Sequence, residues 1–175
     1  MLDRSFYDRD ARIVGQDLIG KIIVRRYDDK IIKVRINETE AYIAEIDKAS
    51  HAYGNKITPR TKIMFGPPGF TYVYFIYGMY YSMYFLTEKE GTCSAVLIRG
   101  AEPVENIELM SLNRYKKPYN ELSKYQIKNL LNGPGKLCNA LNISKEHNGN
   151  DLTGNEIYVE DDGFSDFIVE KSKRI

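Results

Sequence analysis

The chain has 175 residues, enough for one domain with its own core and too few for two comfortable ones. Its 43% hydrophobic and 28% charged residues exclude a disordered or collagen-like chain, and 25 basic against 24 acidic side chains leave a net charge of +1, so bulk charge makes no case for a nucleic-acid partner. Two distant cysteines (Cys93, Cys138) and two histidines (His51, His147) offer no metal-ligand spacing, which argues against a metal centre and for reduced thiols in a cytosolic setting.

Met1–Asp10 carries alternating charges and no apolar signal-peptide stretch, so export is not expected. Asp8 reads as a helix N-cap, followed by Ala11, Val14 and Leu18 at helical spacing and by Gly20 as the stop. The β-branched runs Lys21–Tyr27 and Ile31–Asn37, joined at Asp28–Lys30, read as a hairpin. Thr58-Pro59 reads as the start of a short helical turn to about Phe65, broken by Gly66-Pro67-Pro68-Gly69. Strands are expected at about 70–77 and 80–87 around Gly78-Met79, and a third over Thr92–Arg99. Phe70–Leu86 is shorter than the ~20 apolar residues of a spanning helix and is crowded with tyrosine, so no membrane partner is expected. Helices are predicted at Val104–Arg114, Glu121–Leu131 and Pro134–Leu141, and short strands near 156–160 and 166–170. The acidic stretch Glu156–Asp166 is expected to face away from any phosphate backbone. This order predicts a single mixed α/β (α+β) domain over 1–175 around a largely antiparallel sheet.

Chemistry can be sought where patterns break. If the second strand stays extended, positions 32, 34, 36, 38, 40 and 42 share one face, reading Ile, Val, Ile, Glu, Glu, Tyr. Glu40 then stands beside Tyr42 at the rim of the core, a place that suits a carboxylate to general-base work; a solvated strand end or an arginine pair is the plainer account. His51 follows in a loop with Ser50 and Tyr53. Six of the fourteen tyrosines fall in Phe70–Leu86, which suits either a β-rich core or a stacking platform for flat bases. Tyr77, at a hairpin tip, fits a wedge that pries base steps apart, or a strand-end residue snorkelling from the core. Asn132-Gly133-Pro134-Gly135-Lys136 offers free backbone N–H groups and a charge for an anion, although inter-helix turns use the same residues. Lys56, Arg60, Lys62, Arg114, Lys116 and Lys117 could extend such a surface.

Taken together, Asn37-Glu38-Thr39-Glu40-Ala41-Tyr42, Ala49-Ser50-His51-Ala52-Tyr53, Thr58-Pro59-Arg60-Thr61, Met64 to Gly69, Tyr72 to Met79, Leu97-Ile98-Arg99 and Gly133 to Cys138 occur in one order. This closely resembles the alkyladenine (3-methyladenine) DNA glycosylase family, the one first known in mammals, from about Asp8 to Asp151. The resemblance implies a compact domain with a curved antiparallel sheet and a protruding hairpin, working as a monomer on double-stranded DNA that contains alkylated bases, without metal or other cofactor. It implies a hydrolytic water activated by Glu40 and held by Arg99, a flipped base among Tyr42, His51 and Tyr74, and a duplex gap filled by Tyr77 beside Ile76 and Met79. Phosphate contacts are expected from Lys56, Arg60, Gly135 and Lys136. No lysine lies in the Glu40 motif to form a Schiff base, so a monofunctional hydrolase that leaves an abasic site is expected. Such a protein would work in the cytoplasm, on the nucleoid in a prokaryote, or in the nucleus of a eukaryote.

One position departs from the family pattern. Where the family commonly has asparagine, seven residues after the wedge tyrosine, this chain has Tyr84, which implies a narrower or differently selective pocket. The rival readings are a non-catalytic nucleic-acid-binding module using the same aromatic strands, and an enzyme acting on a free purine nucleoside.

Overall fold

A computed structural model describes residues 1–173. The chain opens with two short helices: α1 (Arg4–Tyr7) and α2 (Ala11–Asp17). Asp3 caps the first by accepting from the Phe6 N–H, and Asp10 caps the second by accepting from the Arg12 N–H. The expected cap at Asp8 is therefore wrong. Asp8 closes α1, and the aspartate directly before Ala11 takes the capping role. Ala11, Val14 and Leu18 are buried, as their spacing requires.

Strands β1 (Ile22–Tyr27) and β2 (Lys30–Ile43) form the expected hairpin, with Asp28 in the left-handed region of its turn (φ 51°). β2 runs six residues beyond the expected Asn37. The Thr58-Pro59 turn does not start a helix: the Thr58 and Thr61 hydroxyls bond each other and nearby backbone, and only Lys62–Phe65 makes a 3₁₀ turn. Then come β3 (Thr71–Ile76), β4 (Tyr80–Thr87) and β5 (Ser94–Glu105). The helix expected from Val104 begins later, as α3 (Ile107–Tyr115), because Pro103 and Glu105 still pair with β2 and Asn106 turns left-handed at φ 64°. The helix expected over Glu121–Leu131 shrinks to α4 (Lys124–Lys128), started by a Ser123/Gln126 capping box. Next are α5 (Pro134–Ala140) and β6 (Ile157–Glu160). Residues 166–170 form no strand; the Phe167 ring packs instead against Gly20, where a Cβ would collide with it.

The six strands lie in the order β3-β4-β5-β2-β1-β6, every neighbour antiparallel. The sheet curls until its two edges are bridged. The Thr71 N–H of β3 donates to Asn150 O (2.9 Å), and Asn150 Nδ2 donates to Ile157 O of β6 (3.1 Å). One face, with Ile32, Val34, Ile36, Val96 and Ile98, packs against α2, α3 and α5. Each such buried aliphatic side chain contributes on the order of 1.5–3 kcal/mol. The other face carries Tyr42, Tyr72, Tyr74, Tyr84, Ala95 and Leu97 under a covering loop that includes Ala44, Ala52 and Met64. Cys93 and Cys138 are free thiols buried in these two separate clusters. The acidic segment near the end forms ion pairs with residues of the β1–β2 hairpin and its approach (Asp161 with Lys21, Asp162 with Arg35, Glu160 with Lys33).

β2 does not keep one face throughout. The register against β5 shifts on both sides of Glu38, so a bulge interrupts the alternation there. Ile36 belongs to the helix-covered face, and after the bulge Thr39, Ala41 and Ile43 take that side: the Thr39 hydroxyl donates to Gly15 O of α2 at 2.7 Å. Glu40 and Tyr42 are thereby turned to the opposite, tyrosine-rich face. The expected continuous face through positions 32 to 42 is corrected accordingly, while Glu40 and Tyr42 remain neighbours on one side.

Candidate active site

The bulge delivers Glu40 to the place where β2 meets β5. Tyr42, two residues on, donates its hydroxyl proton to Glu40 Oε2 at 2.8 Å. Arg99, from the paired strand β5, donates from Nη1 to Glu40 Oε1 at 3.1 Å. The Glu40 side chain is 18% exposed, so the carboxylate is partly withdrawn from water yet open on one side. Charge-assisted bonds from a guanidinium and a phenol orient it.

Behind this trio stands a cluster of rings. Tyr42 meets Tyr84 edge-on (centroids 5.7 Å apart), and Tyr84 also meets Tyr72 (5.5 Å) and His51 (6.1 Å). Tyr72 and Tyr74, alternate residues of β3, lie nearly parallel at 6.1 Å, and His51 contacts Tyr74 at 4.4 Å. A base stacked between two rings needs them about 7 Å apart, twice the van der Waals spacing. His51 and Tyr74 therefore make one wall and cannot enclose a base between them. His51 Nδ1 is 3.2 Å from the Tyr72 hydroxyl. Burial, and then the nearby Arg60 charge, hold the His51 pKa below its ordinary value, which keeps the ring neutral. Burial pushes the Tyr72 pKa up, so this phenol stays protonated.

The β3–β4 hairpin ends at the same face in an exposed apolar tip. Tyr77 is 88% exposed, Met79 is 66% exposed and Ile76 is half-buried. Tyr77 and Gly78 both have positive φ (53° and 64°), and the Met79 N–H donates to Ile76 O, a tight turn of the type I′ kind. A bulky residue held left-handed at a solvent-exposed tip is a strained choice that points to function.

The family model described as Methylpurine-DNA glycosylase (MPG) matches residues 5–175. The chain belongs to this family. It is accordingly a DNA glycosylase, a hydrolase of DNA repair. Proteins named "Putative 3-methyladenine DNA glycosylase" are similar along nearly the whole chain. The one from Alkaliphilus oremlandii is 56% identical over 174 residues, covering 99% of this chain and 86% of the relative. Those from Clostridium perfringens (strain 13) and Desulfitobacterium hafniense are 52% and 49% identical, each with the same coverage of 99% and 86%.

Two residues of this glycosylase escaped the sequence reading. Tyr72 is fully buried and contacts three of the rings named above; its place on the face of Tyr74 was legible from alternation, but nothing singled it out. Glu38 lies 3.2 Å from Arg99 Nε through the bulge, which no local pattern announced. The expected phosphate ligands are spread out. Arg60 is exposed, with its guanidinium over the Tyr74 ring (4.9 Å) and Nη1 donating to the Tyr74 hydroxyl (3.1 Å). Lys56 is exposed. Lys136 Nζ donates to Asn129 Oδ1 (2.6 Å) and Asn132 Oδ1 (2.8 Å), and Gly135 gives room to Tyr80, whose ring carbons lie 2.9–3.1 Å from where its Cβ would be. Among the described residues no group of histidines, cysteines or carboxylates is placed to hold a metal, and no helix is long and apolar enough to cross a membrane.

Proposed function

We propose that the glycosylase excises 3-methyladenine-type alkylated purines from double-stranded DNA, acting as a monomer, by flipping the nucleotide out and hydrolysing its glycosidic bond with a water activated by Glu40. The reading is carried by one observation: the carboxylate of Glu40 is bonded at once to Arg99 and to Tyr42, and the Tyr42 ring belongs to the buried aromatic cluster.

A base stacked inside a duplex cannot reach that carboxylate, so the nucleotide must rotate out at a cost of a few kcal/mol in lost stacking. Tyr77, backed by Ile76 and Met79, would fill the vacated step and slow the return. The extruded purine would enter beside Tyr42, with His51 and Tyr74 as the opposite wall and Tyr84 beneath. Alkylation leaves the purine cationic, which ring faces favour and which makes it a good leaving group needing no acid. Neutral His51 adds no repelling charge. Water held by Glu40 and Arg99 attacks the sugar C1′; the C1′–N bond breaks with its electron pair leaving on the base, and the water's proton passes to Glu40. The carboxylate also stabilises the oxocarbenium-like transition state. The products are a free base and an abasic sugar in an uncut strand. Lys56, Arg60, Gly135 and Lys136 would hold the backbone, Arg60 and Lys136 exchanging their present partners for phosphate.

The deciding experiment incubates the protein with methylated duplex DNA and detects free purines by chromatography. Glu40→Gln is expected to retain binding to the duplex while release falls by about 10²–10⁴-fold. Tight binding with no release by the native protein would favour the non-catalytic binding module, and undiminished release by the variant would remove Glu40 from the chemistry.

A further inference from the structure

Arg99 serves two carboxylates. Its Nη1 donates to Glu40 Oε1, and its Nε lies 3.2 Å from Glu38 Oε1. That Nε makes no hydrogen bond among the described residues, so Glu38 acts on the guanidinium through close charge and not through a directed bond. Two backbone features bring it there. The bulge puts Glu38 opposite Gly100, the residue after Arg99. At Gly100 a Cβ would stand 2.8 Å from Asn37 Oδ1 and 3.4 Å from Glu38 Cβ and Oε2, so the missing side chain lets the bulge lie close against β5 with the Asn37 amide where it is.

We propose that Glu38 is a positioning residue of the base-excision reaction: by sharing Arg99 with Glu40, it leaves the reacting carboxylate a net negative charge. The proposal rests on the function given above. Paired with Arg99 alone, Glu40 forms a neutral couple that offers little to a developing positive sugar. With Glu38 present, two carboxylates divide one guanidinium and the trio keeps one negative charge facing the place where positive charge appears. Binding alone gives no reason for Glu38, because a carboxylate on a DNA-facing surface repels phosphate and weakens association. Glu38 is 57% exposed, so water screens its hold on Arg99 in the free protein. A DNA strand laid over the site excludes that water and strengthens the effect where it is needed.

The test measures single-turnover base release and duplex affinity with an oligonucleotide methylated at one purine. Glu38→Gln keeps the shape and removes the charge; release is expected to slow about fivefold, the upper end for an exposed ion pair, while affinity for the duplex holds or rises. Glu38→Asp, which keeps the charge, is expected to recover more than half of the lost rate. In an Arg99→Gln background the Glu38→Gln change is expected to add no further loss, since no guanidinium remains to share. An unchanged rate in Glu38→Gln, a loss of affinity equal to the loss of rate, or losses that multiply in the double variant would each overturn the proposal. Glu40→Gln measured alongside separates the two ideas. If it is inactive while Glu38→Gln is normal, only the sharing of Arg99 fails; if it is active, the reading of Glu40 itself fails.

Discussion

The Tyr84 ring stands edge-on to Tyr42, centroids 5.7 Å apart and planes at 71°, and reaches His51 at 6.1 Å, so one side chain touches both proposed walls of the base slot. It is 7% exposed and occupies the position where the family resemblance leads one to expect asparagine. A phenol there takes up volume that a bulkier purine would need and presents no amide. Tyr84→Asn is expected to raise release of hypoxanthine and ethenoadenine relative to 3-methyladenine by about tenfold, worth about 1.4 kcal/mol of discrimination. Truncating so buried a ring is also expected to cost about 2–4 kcal/mol of stability. A lesion panel run on both proteins decides the matter: identical profiles would mean that Tyr84 is only a packing residue.

At Tyr77, stability and activity are expected to part company. The left-handed conformation costs an ordinary side chain about 1–2 kcal/mol, and this ring is 88% exposed. Asparagine tolerates the same turn. Tyr77→Asn is therefore expected to leave stability unchanged or raise it by up to about 1 kcal/mol, while single-turnover release falls at least tenfold for want of a wedge. Denaturant melts and release rates on the same preparation check both halves. A variant that loses stability along with activity would make the tyrosine a structural part of the hairpin.

The parts of the fold governed by short-range patterning were legible. The β1–β2 hairpin, the β3–β4 hairpin and α5 follow from alternation, turn residues and a proline at the first helical position, which act over a few neighbouring residues. Helix bounds were not legible where tertiary pairing overrode propensity: Val104 and Glu105 read as the start of a helix, yet they end β5, where Glu105 pairs with Lys33 of β2. Glu40 was reached from the sequence by way of a continuous face, and the bulge at Glu38 shows that this face switches sides. The bulge is set by pairing with Gly100, sixty-two residues beyond Glu38, so no local window could reveal it. The pairing of Arg99 with Glu40 came only from resemblance, since Arg99 lies fifty-nine residues beyond its partner.

Lys136 separates an anion ligand from a structural lysine. Its ammonium spans Asn129 and Asn132, at 2.6 and 2.8 Å, at the mouth of α5. If phosphate replaces those amides in the complex, Lys136→Ala is expected to lower the salt dependence of duplex binding by about one in the slope of log K against log salt. An unchanged slope, measured by titrations across salt concentrations, would leave this lysine a clasp between two loops.

Acid should loosen the seam that closes the sheet. Arg25 of β1 is 3% exposed and its Nη2 lies 2.7 Å from His147 Nε2, a contact in which the imidazole must offer a lone pair and hence be neutral. Burial first, and the Arg25 charge second, hold the His147 pKa below its ordinary 6.5, against weaker opposing pulls from Glu156, the Ser144 backbone and Glu146. A histidine whose folded pKa is depressed binds fewer protons folded than unfolded. Its contribution to stability is thus complete above about pH 6.5 and is lost as pH falls from there to the folded value. Asp10, lowered to about 2, titrates in a more acid window and does not confuse the reading. The segment matters to the site because the Thr71 hydroxyl donates to His147 O and the Val73 N–H to Asn148 Oδ1, fixing the strand that carries Tyr72 and Tyr74. Urea melts at pH 7.5 and 5.5 are expected to show the native protein weaker at the lower pH, and His147→Gln less stable overall but with a flatter dependence. Equal slopes in the two proteins would assign the acid loss to groups elsewhere.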